Sequence, residues 1–167
     1  MKKTIIIVLV CLLAVAAEGF ALKSTPDFAL GVEVTTINFQ TVGAMLTAHL
    51  PRIPLSIGFG ADFYNELSGG IELAATIDYW LLHSSGGFLN FYLGLGLYGA
   101  INLDATWFAA GLRLPLGLQI WPLNNEKLEV FLEVAPAWVP LYASEWDPIQ
   151  FQAQIALGMR FWFERGR

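Results

Sequence analysis

Residues 86–103 read "GGFLNFYLGLGLYGAINL", an uncharged, largely apolar stretch long enough to pass for a membrane-spanning helix. Its period decides against a helix. Leu89, Phe91, Leu93, Leu95, Leu97, Ile101 and Leu103 share one parity, interrupted only by Gly99. Asn90, Tyr92, Gly94, Gly96, Tyr98, Ala100 and Asn102 share the other. A period of two puts the two sets on opposite faces of a strand, whereas a helix would scatter both around its circumference. The stretch also contains Gly94-x-Gly96-x-x-Gly99, the glycine spacing of a dinucleotide-binding turn. Such a turn opens a helix on its last glycine and is followed about 20 residues later by an acidic residue. Here the alternation runs straight through the glycines, and the later region is Arg113 within "LRLPLG". The glycines belong to a strand, where Gly94 and Gly96 are expected to face inward and leave room for Tyr92, Tyr98 and Trp107.

The same alternation recurs outward from this stretch. It is regular over 28–36, 55–64, 71–81, 107–120 and 150–163, and less regular over 44–50 and over 128–139, where Pro136 disfavours a central strand. That makes eight strands. Turn signals separate them at 40–43, 51–54, 65–70, 83–87, 104–106, 122–127 and 144–148. An even number of strands joined by hairpins predicts an all-β, eight-stranded antiparallel up-and-down barrel, a transmembrane β-barrel if its apolar parity faces outward.

The totals point the same way. The 167 residues are 56% hydrophobic and 14% charged, and mean hydropathy is +0.56. Ordinary soluble domains carry roughly 25% charged residues. The formal net charge of −5 disfavours a nucleic-acid partner. Residues 1–21, "MKKTIIIVLVCLLAVAAEGFA", run from two lysines through an apolar centre to small residues, the order of a secretory signal peptide. Cleavage after Ala21 or after Ala17 satisfies the small-residue rule, and 22–167 is then the barrel domain. Cys11, the sole cysteine, lies in this leader, so the mature chain has no thiol or disulfide.

Alternation alone does not say which parity meets solvent. A soluble lipocalin-like barrel buries its apolar parity, and a membrane barrel turns it outward to lipid. Long strands, a polar parity rich in Gly, Ala and Thr, and aromatic residues near strand ends (Tyr79, Trp80, Trp121, Trp138, Tyr142, Trp162) favour the membrane arrangement, with the aromatics as interfacial girdles. Eight strands leave an interior that side chains fill. Glu33, Asp62, Glu72, Asp78, Glu129 and Glu133, with Arg113, Arg160 and His49, are then inward, and buried charges need partners. Antiparallel counting places Arg113 near Glu133, and barrel closure places Arg160 near Glu33. The expected result is a structural polar plug, with a thin cation path as the functional alternative.

The last strand, "FQAQIALGMRFWF", resembles the C-terminal signal of bacterial outer-membrane proteins, carried by Leu157, Met159, Phe161 and Phe163, although "ERGR" follows Phe163. The resemblance implies recognition by the barrel-assembly machinery. With the leader and eight strands, residues 27–163 look like the small barrels of the OmpA/OmpX/OmpW type, and more loosely like a spirochaetal family of small outer-membrane proteins of unknown function. This implies residence in the bacterial outer membrane, with outer-membrane lipid as partner and a monomeric state. OmpW-like barrels are thought to pass small hydrophobic molecules, but no diagnostic residues carry over. Some eight-stranded barrels are lipid-modifying enzymes with histidine near the outer rim. Here His49 falls at the other end of its strand and His83 in a turn at that same end, so no enzyme activity, metal or cofactor is expected. A structural or surface-interaction barrel, a narrow channel for small or hydrophobic solutes, and a soluble periplasmic binding barrel remain open.

Overall fold

The computed structural model describes residues 28–50, 53–64, 70–84, 88–104, 107–123, 127–142, 145–146 and 150–163, so the leader lies outside the described residues. The strands are β1 (Phe28–Ile37), β2 (Thr41–His49), β3 (Leu55–Tyr64), β4 (Ile71–His83) and β5 (Leu89–Asn102). There follow β6 in two pieces (Phe108–Arg113 and Leu116–Ile120), β7 (Leu128–Tyr142) and β8 (Phe151–Phe163). A two-residue ladder, Glu145–Trp146, extends the β7 hairpin. Each strand pairs antiparallel with its neighbours, and β8 pairs with both β7 and β1, which closes an eight-stranded up-and-down barrel.

The two pieces of β6 form one strand. Arg113 opposes Ala137 and Leu116 opposes Val134 in a single register on β7, and Gly96 and Leu93 oppose the same two residues on β5. The hydrogen-bond ladder is interrupted only at Leu114–Pro115, because Pro115 has no N–H to donate. Pro136 does not interrupt β7, contrary to the sequence expectation. It lies beside that lapse, and its carbonyl still accepts from Leu114 N–H at 3.0 Å. Two missing donors are thus placed side by side.

The closed wall is strongly staggered. Following register partners from Ala29 passes through His49, Ser56, Asp78, Gly96, Arg113, Ala137 and Gln152. The lap starts near the beginning of β1 but returns beside its end, where Gln154 opposes Ile37. Such a shift tilts the strands relative to the barrel axis, as closing a sheet requires.

The apolar parity faces out. Leu95, Leu116 and Leu157 are 50%, 45% and 58% exposed, whereas Glu72 and Arg160 are each 2% exposed. The wall therefore has the inverted facing of a membrane barrel, opposite to the lipocalin-like arrangement.

The first turn departs from the expected 40–43. It occupies Asn38–Gln40, and β2 begins at Thr41. Gln40 N–H donates to Ile37 O at 2.9 Å, and Asn38 and Phe39 both have positive φ (51° and 59°), which makes a type I′ hairpin. Asn38 also ties the turn across the closure to β8: its N–H donates to Ala153 O and its Oδ1 accepts from Ala153 N–H, both at 2.8 Å. Asn38→Ala is expected to lower stability by about 1–2 kcal/mol through loss of this bond and the cost of alanine at positive φ, and Asn38→Gly by less. Urea unfolding in micelles measures both.

Candidate functional site

The candidate site is the polar interior. About midway along β5, Gly96 of the opening stretch shows how it is built. Asp78, Gly96 and Arg113 form one rung across β4, β5 and β6. Gly96 contributes no side chain, so Asp78 and Arg113 meet over it, with Arg113 Nε 3.1 Å from Asp78 Oδ1. Tyr92, Gly117 and Glu133 repeat the pattern one strand along, and Tyr92 O–H donates to Glu133 Oε2 at 2.5 Å. Thr35, Gly43 and Asp62 repeat it again, with Thr35 O–H donating to Asp62 Oδ1 at 2.7 Å. A side chain at any of the three glycines would collide with the partners that meet above it. Adjacent strands are about 4.8 Å apart, so each pair bridges roughly twice that distance, a span that only an empty middle position permits.

This corrects the reading of the glycines. Gly96 makes room for the Asp78–Arg113 pair, and it is Gly117, not Gly94 or Gly96, that accommodates the Tyr92 ring. The signal was present in sequence as a glycine between two polar residues on flanking strands, but it becomes visible only once the registers are known.

Arg113 is the hub of the middle layer. It pairs with Asp78 and with Glu133, and its Nη1 donates to Gln154 Oε1 at 3.0 Å. The residue directly opposite Arg113 on β7 is Ala137, so the guanidinium reaches along the strand to Glu133. Arg160 pairs with Glu129 at 2.8 Å, not with Glu33. Its rung explains why: its direct neighbours are Glu129 on β7 and Gly31 on β1, while Glu33 opposes Gly158. Glu129 also accepts from Gln119 Nε2 at 2.8 Å and Trp162 Nε1 at 2.7 Å. Nearer the opposite end, Glu72 accepts from Tyr98 O–H at 2.5 Å and Tyr64 O–H at 2.7 Å. Glu33 is buried and lines a cavity of about 20 Å³, together with Thr35, Asp62, Arg113, Glu133 and Gln154. That is space for about one water molecule.

The two halves of the interior differ. Toward the end where β1 begins and β8 ends, Trp80 stacks on Tyr92 (ring centroids 4.4 Å apart), and His49 lies between Trp80 and Trp162 at 4.4 and 5.2 Å. The Arg160 guanidinium sits 3.7 Å from the Phe131 ring centre. His83 is the last residue of β4 rather than part of a turn, with Nε2 2.9 Å from Gln119 Oε1. Toward the other end the packing is small and apolar: Ile37, Met45, Ala74, Ala100, Ala109, Ala137 and Val139 around Tyr98.

Only part of the aromatic set named from the sequence faces outward. Trp80 and Trp162 are buried inside, and Trp121 packs against them, because all three belong to the inward parity or the mouth. Tyr79 and Trp138 keep the outward parity, and the side chain of Tyr142 lies outside the described residues. The outer surface instead carries phenylalanines near both ends: Phe88, Phe91, Phe161 and Phe163 at one, and Phe39, Phe63, Phe108 and Phe151 at the other. Leu157, Met159, Phe161 and Phe163 form one outward row on the closing strand. Among the described residues, no group of three or more His, Cys, Asp or Glu side chains is placed to hold a metal ion.

The fold is similar to that of the crystal structure of the N-terminal β-barrel domain of Pseudomonas aeruginosa OprF, with a TM-score of 0.54 and 14% identity over 83% of this chain and 98% of that one. A chain from a de novo design of transmembrane β-barrels matches at a TM-score of 0.46 and 16% identity, covering 84% and 98%. No family profile and no curated protein matches the sequence. The likeness is one of fold: a small closed barrel resembling outer-membrane barrels.

Arg160→Met leaves Glu129 buried without its cation and is expected to cost about 3–5 kcal/mol, of which the double variant Arg160→Met/Glu129→Leu recovers a large part. Gly96→Val is expected to cost about 1–3 kcal/mol by forcing Asp78 and Arg113 apart. Gly99→Ala, whose added methyl meets nothing nearer than 4.0 Å, is expected to stay within about 0.5 kcal/mol of the parent. Equilibrium unfolding in micelles ranks the four.

Proposed function

We propose that this chain is an integral outer-membrane barrel with a plugged interior and a structural or surface-interaction role, not an enzyme. The observation that carries the reading is the inverted wall, on which large apolar side chains cover the outside while carboxylates and guanidiniums are buried within. In water such a belt would drive aggregation; in hydrocarbon it is the stable arrangement. A soluble binding barrel would need the reverse. The belt makes lipid the principal partner, and a monomer satisfies its backbone because closure leaves no free sheet edge. The outward row Leu157, Met159, Phe161 and Phe163 lies on the strand that closes the barrel, where an assembly factor would need to act.

A closed plug is favoured over a pore by the layer of Trp80, Trp162, His49 and the Arg160–Glu129 pair, and by a cavity that holds about one water. The channel reading draws on one observation of its own: Glu33, Asp62, Glu72, Asp78, Glu129 and Glu133 are buried against only Arg113 and Arg160 among the described interior residues.

The protein is expected to fractionate with outer membranes, to migrate differently on gels before and after boiling, and to give no unitary current in planar bilayers. Steady currents that Glu72→Gln or Arg113→Gln abolish establish the channel instead, and folded protein that stays in solution without detergent refutes the membrane reading. Leu97→Arg, on the outer wall, is expected to cost about 2–4 kcal/mol in vesicles if it lies near the bilayer midplane.

A further inference from the structure

The β1–β2 turn joins two unfavourable features at one residue. Phe39 holds φ at 59°, a left-handed conformation that bulky side chains avoid and that this position of a type I′ turn ordinarily gives to glycine. Its side chain is 75% exposed, more than any other large apolar residue among those described. The backbone cannot relax, because Asn38 is tied on both sides to Ala153 and the Ile37 N–H donates to Thr41 Oγ1 at 2.9 Å. A strained backbone carrying an exposed ring gains little within the chain, so the compensating interaction lies outside it.

The surroundings indicate what it is. Val42, in the strand that leaves the turn, its register partner Phe63, and Phe151 at the start of β8 are all more than half exposed. The turn residues Asn38, Phe39 and Gln40 carry no charge. Below this rim the outward wall is again apolar at Val34, Leu46 and Phe59, with Thr36, Ala44 and Ala61 as the outward residues between. A protein-docking patch is bounded by polar surface; a rim continuous with a lipid-facing belt meets the same solvent as the belt, at the level where hydrocarbon gives way to headgroups.

We propose that Phe39 anchors this end of the barrel in the lipid interface, and that this contact offsets the cost of an aromatic residue at a left-handed turn position. The inference rests on the membrane reading above. The test compares wild type, Phe39→Gly and Phe39→Trp, each folded into phosphatidylcholine vesicles and unfolded in urea, with the heat-sensitive gel band as readout. Glycine suits the turn, so the variant folds. Burial of the ring outweighs the relieved strain, and the folding equilibrium constant of Phe39→Gly is expected to fall about threefold to tenfold while Phe39→Trp matches or exceeds wild type. A glycine variant as stable as wild type, or more stable, overturns the anchor while leaving the membrane reading intact. A tryptophan variant that loses stability as glycine does also overturns it. Wild type that fails to enter vesicles overturns both readings together.

Discussion

The structure depends on how a narrow closed sheet satisfies polar groups at its centre. Closing eight strands pairs the backbone all the way round, but it also forces every second side chain into a space too small for eight full rows. The chain meets this with glycine at chosen inward positions. Gly96, Gly117 and Gly43 each leave a gap over which residues of the flanking strands meet: Asp78 with Arg113, Tyr92 with Glu133, and Thr35 with Asp62. The glycines are therefore part of the electrostatics, since the gap at Gly96 lets Asp78 and Arg113 meet across an intervening strand.

The interior that results is graded. One half is dense with rings and holds the Arg160–Glu129 pair; the other is lined by alanine, valine and methionine, with Glu72 held by two tyrosines. The wall outside is uniform by comparison, because hydrocarbon asks only for apolar surface whereas a packed polar centre asks for specific partners. Between the two halves, the small cavity beside Glu33 is lined by Arg113, Glu133 and Gln154.

Gly99 marks the boundary between these two kinds of constraint. It lies on the outward parity, and a methyl group added there meets open space, whereas one added at Gly43, Gly96 or Gly117 strikes a partner. Glycine on the inside is imposed by packing; glycine on the outside is not imposed by anything within the chain. The tryptophans divide the same way. Trp80 and Trp162 look like girdle residues in sequence because they sit near strand ends, yet their parity sends them inward, where Trp162 finds Glu129 for its N–H.

Strand count, antiparallel order, the parity to which each strand residue belongs and the list of buried charges were legible in the sequence, because a strand's period of two is a local property that needs no knowledge of neighbours. Which charges meet was not. The Arg113–Glu133 pair was within reach of counting along one hairpin. Arg160 took Glu129 rather than Glu33, because the β8 register places Glu129 on its own rung and Gly31 on the other side. The positions of the first turn and of His83, and the continuity of β7 through Pro136, likewise waited on tertiary pairing: hydrogen bonds to Ala153, Gln119 and Leu114 decide them. Alternation determines which side of a wall a residue occupies, while register, which depends on the whole closed circuit, determines what it touches there.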